Sequence, residues 1–222
     1  MTTFGLIHGA SGAGVAWAPI IAALEARGHR AVAPDMPIED PDATFADYAA
    51  AAREAVADDD AVLVGHSLGG CTIAQLPARR HVYLAAMIPQ AGRRLVDVLK
   101  EEPMLCPAVA TTHVRGEDRL ARWADPEKAM DILFHDVDED AGRKALGYLR
   151  GQSVNPWFHE SPPLADAPST YIVCALDRVV SPEWGREAAP RLLGAEMHEL
   201  QSGHVPQLAK PRELTDLLLA AA

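Results

Sequence analysis

Short apolar runs and helix-period segments take turns along the first third of the chain. Phe4-Gly5-Leu6-Ile7 reads as a buried strand that ends at Gly9. Trp17, Ile20, Ile21 and Leu24 then fall at i, i+3, i+4 and i+7, an amphipathic helix stopped by Gly28. Arg30 to Pro34 predicts a second strand, and Thr44 predicts the cap of a helix running to about Ala57. Ala61 to Val64 predicts a third strand, Ser67 to Ala78 a third helix, and Val82 to Ile88 a fourth strand. Apolar strands separated by helices cannot pair as hairpins. They line up in parallel, with the connecting helices covering both faces of the sheet. The expected fold class is therefore α/β, with a mostly parallel sheet flanked by helices.

After Gly92 the pattern changes. Residues 93–165 show no convincing strand, several short helical patches (Met130, Leu133 and Phe134 at i, i+3, i+4) and many acids, which predicts a helical cap insertion. The alternation resumes with Thr170 to Cys174, a helix after Pro182, the strand Glu196 to Leu200, and a last helix carrying Leu214, Leu217, Leu218 and Ala221. No internal repeat is visible. At 222 residues the expectation is a single domain over 1–222, with the cap set into it at about 93–165.

Composition narrows the class further. An apolar fraction of 49% with 23% charged residues excludes a disordered chain. A formal net charge of -11 argues against phosphate backbones and anionic lipid, so neither nucleic acid nor membrane is an expected partner. Cys71, Cys106 and Cys174 are odd in number and far apart, which makes neither a disulfide framework nor a metal pattern. The first residues lack the basic and apolar regions of a signal peptide, and no run reaches the roughly 18 apolar residues of a membrane span. A reducing cytoplasm is the expected location. The helical insertion offers a surface for a homodimer.

The chemistry concentrates in Val62-Leu63-Val64-Gly65-His66-Ser67-Leu68-Gly69-Gly70, a G-x-S-x-G between a predicted strand and a predicted helix. A turn that sharp strains the serine backbone and leaves no room for side chains two positions either side, hence the glycines. It aims the Ser67 hydroxyl off the carboxyl edge of the sheet, at a helix start that favours developing negative charge. A serine needs a base, and the base needs an orienting carboxylate. His204 sits between the last strand and the last helix, so it leaves the same edge. Asp177 follows the strand ending at Cys174 by three residues. Ser67, Asp177 and His204 form the expected catalytic trio, in the order Ser, Asp, His. The expected oxyanion donors are the backbone N–H groups of Leu68, fixed by the turn, and Ala10, in the loop after the first strand. His8 and His66 adjoin functional turns and read as structural. His29, His81, His113, His135, His159 and His198 read as lying on surfaces or in the insertion.

Other signals in the chain compete less well. Gly9-Ala10-Ser11-Gly12-Ala13-Gly14, with Asp35 further on, has the look of a dinucleotide-binding loop, but the spacing is not G-x-G-x-x-G. A short-chain reductase would also need Lys four residues after a Tyr, and Tyr48, Tyr83, Tyr148 and Tyr171 have Ala52, Met87, Gln152 and Ala175 there. No cofactor is expected. Asp136 to Asp140 imitates a calcium loop, yet its sixth and twelfth positions are Ala141 and Gly147, so these acids read as favouring a helix N-terminus. Cys71, one helical turn past Ser67, reads as a small core residue.

With these residues in place, the sequence resembles the α/β-hydrolase fold superfamily, and within it the branch of plant methyl esterases, hydroxynitrile lyases and bacterial esterases. The matching pieces are Leu6-Ile7-His8-Gly9-Ala10, Val62 to Gly70, Tyr83-Leu84-Ala85-Ala86, Tyr171 to Cys174 with Asp177, Pro182-Glu183, and Gly203-His204. The resemblance implies a six-stranded sheet and assigns nucleophile, acid, base and oxyanion donors to the same residues. The lyases carry Thr or Asn where this chain has Gly9, and the best-known ones carry Lys where it has Val205, so hydrolysis is favoured. The expected function is a serine carboxylesterase acting on small hydrophobic esters. Trp123, Met130, Phe134, Trp157 and Phe158 are expected to roof its pocket. The alternatives are a ligand-binding protein that keeps the trio with negligible turnover, a lyase, and a nucleotide-dependent reductase.

Overall fold

The computed structural model describes residues 1–222 apart from the Ala110 side chain. Its strands are β1 (Thr3–Ile7), β2 (Arg30–Val32), β3 (Val62–His66), β4 (Arg80–Leu84), β5 (His113–Arg115), β6 (Leu120–Trp123), β7 (Gln152–Ser153), β8 (Ser169–Cys174) and β9 (Glu196–Leu200). Its α-helices are α1 (Ala18–Glu25), α2 (Phe45–Val56), α3 (Gly69–Ile73), α4 (Leu95–Glu101), α5 (Pro126–Leu133), α6 (Glu139–Leu146), α7 (Pro182–Leu193), α8 (Pro206–Ala209) and α9 (Pro211–Ala220). Six strands make one sheet in the order β2-β1-β3-β4-β8-β9. Every neighbouring pair in it is parallel.

Alternation within each strand decides what covers each face. Phe4, Leu6, Val62, Val64, Val82, Leu84 and Ile172 point to one side, where Trp17, Ile20 and Leu24 and then Leu214 and Leu218 of α9 cover them. Ile7, Leu63, Tyr83, Tyr171 and Val173 point to the other, against Tyr48, Ala52, Trp184 and the insertion. Leu214 and Leu218 are fully buried, and burial of each contributes about 1.5–3 kcal/mol. The chain reverses its direction of travel across the sheet between β1 and β3. In an open parallel sheet, the crevice beyond the carboxyl ends at such a reversal is where ligands bind. Here those ends lead into Gly9-Ala10 and Ser67.

Local signals set several boundaries. Thr44 caps α2 through a capping box with Asp47, and Ala57 closes that helix in the left-handed conformation. Three expectations need correction. The helix after Ser67 stops at Ile73 rather than Ala78, because Pro77 has no N–H to continue it and the Gln75 amide donates to the carbonyls of Cys71 and Phe45 instead. β4 ends at Leu84, where Ala85 turns to a positive φ of 44°. The insertion, expected to lack strands, holds an antiparallel sheet in the order β5-β6-β7. Those strands are two to four residues long, too short for any period to show, and β7 joins from far along the chain. Among the described residues, no helix is long and apolar enough to cross a membrane.

Candidate active site

Ser67 sits at the exit of β3 with φ 54°, in the left-handed region that side chains disfavour. Neighbouring backbone overdetermines it. Its N–H donates to the Leu84 carbonyl at 3.1 Å, and its own carbonyl accepts from Gly70 and Met87 at 3.1 and 3.0 Å. The flanking glycines are enforced by contact. A Cβ at Gly65 would lie 2.7 Å from the Gly69 carbonyl oxygen, and one at Gly69 the same distance from that of Ile7. Behind the turn, Cys71 is buried and its thiol is pushed up to about 12 by that burial, as suits a core residue.

His204 enters from the loop after β9. Its Nδ1 lies 2.8 Å from Asp177 Oδ2, both side chains being almost fully buried. The other Asp177 oxygen accepts from the N–H groups of Val179 and Val180 at 2.7 and 3.2 Å, which fixes the carboxylate's orientation. A proton on Nδ1 donated to Asp177 leaves His204 Nε2 as an acceptor. Ser67 and His204 line the same cavity, with Asp177 behind the imidazole.

His66, inside the elbow, donates from Nε2 to the backbone carbonyl of His204 at 2.7 Å, and the two rings lie 4.7 Å apart. Burial, then the neighbouring His204, holds His66 well below the ordinary histidine value, so it stays neutral. His8 is neutral for a visible reason: Nδ1 meets the Gly9 carbonyl at 2.9 Å while Nε2 accepts from the Met36 N–H at 2.9 Å. Burial lowers its pKa too. Both therefore have structural work, as expected. His81, expected on a surface, is buried instead, bonded to the Leu76 carbonyl at 2.9 Å, because its strand lies inside the sheet.

The Ala10 and Leu68 N–H groups have no hydrogen-bond acceptor among the described residues. Ala10 belongs to a loop gripped from the insertion. The Ser11 N–H donates to Gln152 Oε1 at 3.2 Å, and the Ser11 carbonyl accepts from the Arg150 N–H at 2.9 Å. Gln152 is itself held through Tyr48 Oη and the Ser153 carbonyl. At Gly9 the loop nearly touches Ser67, since a Cβ there would lie 2.6 Å from Ser67 Cβ.

The cavity has a volume of about 520 Å³. Met87, Leu133, Val179 and Leu208 are among its apolar walls, and Glu102 is the one charged side chain among the described residues that line it. Glu102 is turned to the Trp184 indole N–H at 2.9 Å and to Arg191, which hold its carboxyl below the usual range. Of the expected roof, Trp123, Phe134 and Trp157 line the cavity. Met130 and Phe158 do not. Met130 packs between α5 and α6, close enough that a Cβ on Gly142 would meet its Cε at 2.9 Å. Phe158 is 53% exposed, because in the 3₁₀ turn Asn155–Phe158 successive side chains diverge by a third of a revolution and Trp157 takes the inward place.

Two polar residues of the site had no local signal. Gln152 lies in a two-residue strand, and Asp136 sits in the acidic run expected to serve a helix N-terminus. Asp138, Glu139 and Asp140 do serve α6 in that way. Asp136 instead faces the His204 loop, accepting from the Gly203 N–H at 2.6 Å and Ser202 Oγ at 2.9 Å.

A parallel sheet with a serine elbow at its reversal point, and an acid and a histidine on later strand exits, defines the α/β-hydrolase class. The chain belongs to the alpha/beta hydrolase family, whose model matches residues 6–217. Probable esterase PIR7A of rice (Oryza sativa subsp. indica) is 28% identical, with 99% of this chain and 96% of that protein covered. Salicylic acid-binding protein 2 of Nicotiana tabacum is 26% identical, over 99% and 96%. The solved structure of a pyrethroid hydrolase from Sphingobium faniae JZ-2 matches with a TM-score of 0.85 at 23% identity, over 99% of this chain and 96% of that one, a likeness of fold. The plant esterase branch is the one that the sequence motifs resemble.

Proposed function

We propose that this chain is a serine carboxylesterase that cleaves small, neutral, hydrophobic esters through an acyl-enzyme on Ser67. Its membership of the family and its esterase relatives make it an α/β-hydrolase esterase in kind. The observation that carries the finer reading is the buried pairing of His204 Nδ1 with Asp177, beside a strained Ser67 on the same cavity.

In this reading Ser67 Oγ attacks the ester carbonyl while His204 Nε2 takes its proton. The Ala10 and Leu68 N–H groups, which have no acceptor of their own among the described residues, receive the oxyanion. His204 then returns the proton to the leaving alcohol, and a water activated by the same imidazole releases the acid. Asp177 holds the tautomer and offsets the imidazolium charge. The cavity size falls in the ordinary range for small ligands. With one carboxylate and no Lys or Arg among the described residues that line it, the cavity gives an anionic substrate no cationic side chain to pair with. Gly9 and Val205 offer no polar group for a leaving cyanide, which favours hydrolysis over lyase chemistry. A reducing compartment suits three cysteines that are all free thiols.

A fluorophosphonate probe and a short p-nitrophenyl ester test this reading together. Labelling that disappears in Ser67→Ala, with measurable ester turnover by the unaltered protein, is the expected result. The name of the tobacco relative favours one second reading, a ligand-binding protein. Labelling without turnover would select that reading, and absence of labelling would remove both.

A further inference from the structure

We infer that Asp136, contributed by the insertion, is a positioning residue that sets the backbone ahead of His204. The inference rests on the reading of Ser67 and His204 as nucleophile and base. Asp136 lies between α5 and α6, distant in sequence from the loop it touches. Its Oδ2 accepts from the Gly203 N–H at 2.6 Å, a short contact, and from Ser202 Oγ at 2.9 Å.

Gly203 is what makes this contact matter. Glycine is the residue whose backbone least restrains its successor, and here it immediately precedes the base. A Cβ at this position would lie 2.6 Å from Asp136 Oδ1 and 2.7 Å from His135 Nε2, so the insertion packs directly on the bare backbone. His204 is otherwise held by Asp177 at Nδ1 and by His66 at its carbonyl. The Ser202–Gly203 peptide ahead of it is held at its carbonyl by the Leu176 N–H at 3.0 Å. Asp136 holds the N–H end of the same peptide, so the unit is pinned from both sides.

Simple docking of the insertion does not account for the carboxylate. The same segment is already tied to the Asp177 loop, where His135 Nε2 donates to the Leu176 carbonyl at 3.1 Å and Arg178 pairs with Asp131 at 2.6 Å. Asp136 Oδ1 is buried and has no partner among the described residues. The contacts left to the Asp136 carboxylate are those that Oδ2 makes with the Ser202–Gly203 loop.

The test compares Asp136→Ala, Asp136→Asn and Ser202→Ala with the unaltered protein in ester turnover and in the rate of fluorophosphonate labelling at Ser67, with circular dichroism to verify folding. Asp136→Ala should lower kcat and the labelling rate about 10–100-fold with KM changed less than about threefold, as expected for a misplaced base. Asp136→Asn keeps an oxygen that can accept from Gly203 and should stay within about fivefold; Ser202→Ala, losing the weaker tether, should lose about 2–5-fold in kcat. A folded Asp136→Ala with unchanged kcat overturns the inference, as does a rise in KM alone, or an Asp136→Asn as impaired as Asp136→Ala. Should Asp136→Ala fail to fold, an unchanged kcat in Ser202→Ala overturns it, and the expected loss there supports it. Failure of the unaltered protein to label would sink the serine-esterase reading instead.

Discussion

The parallel sheet and the insertion between β4 and β8 hold the same site by different means. The sheet places Ser67, Asp177 and His204 through strand exits whose positions follow from two apolar faces packed against helices. The insertion shares one of those apolar cores through Ile132, Leu133 and Phe134, but it reaches the loops of the site through single polar contacts: Gln152 and Arg150 on Ser11, His135 on Leu176, Asp136 on Ser202 and Gly203. Apolar burial is spread over many residues and tolerates exchange, whereas a polar tether stands or falls with one atom pair. Stability should therefore be concentrated in the sheet, and a share of the catalytic geometry in the insertion.

The largest effect should come from the sheet edge itself. Asp177→Asn should lower kcat by about 10⁴-fold through loss of the tautomer and of charge compensation, with the fold intact by circular dichroism. If a small loss were found, another carboxylate would have to orient His204. Next, Leu218→Ala should lower the unfolding free energy by about 2–5 kcal/mol in urea titrations while leaving kcat of the folded protein nearly unchanged. Gln152→Ala should invert that pattern, lowering kcat about tenfold by freeing the loop that carries Ala10 and Ser11. An insertion variant that lost stability like Leu218→Ala, yet kept its rate, would break the division.

Smaller effects sharpen it. Burial lowers the pKa of His8, His66 and His81 in the folded protein. The unfolded chain then binds more protons than the folded one below about pH 6.5, so stability is complete above that value and declines as pH falls through it toward the lowered pKa values. Thermal unfolding between about pH 5 and pH 7.5 should show the midpoint rising with pH, and His81→Gln should flatten the slope. Last, Thr44→Ala should cost about 1 kcal/mol by removing the α2 cap, with no effect on rate.

The same contrast explains what was legible in the sequence. β9 and the Thr44 cap are written in adjacent residues, so their boundaries could be read directly. The elbow at Ser67 is a dense local code, and the Asp177 and His204 positions emerge once the strand order is known. Met130 and Phe134 share a helical spacing, but spacing alone does not say which of two neighbours, α6 or the cavity, each side chain meets. Met130 met the helix. Gln152 and Asp136 act across 141 and 67 positions, and no window along the chain contains both ends of such a contact.

Gly9 leaves no room beside Ser67, since even a methyl group there would press on Ser67 Cβ at 2.6 Å. A descendant of this chain that acquired a hydroxyl or amide at that spot would first need the exit of β1 to retreat from the elbow. A side chain at this position therefore requires a coordinated shift of backbone and elbow rather than a single substitution.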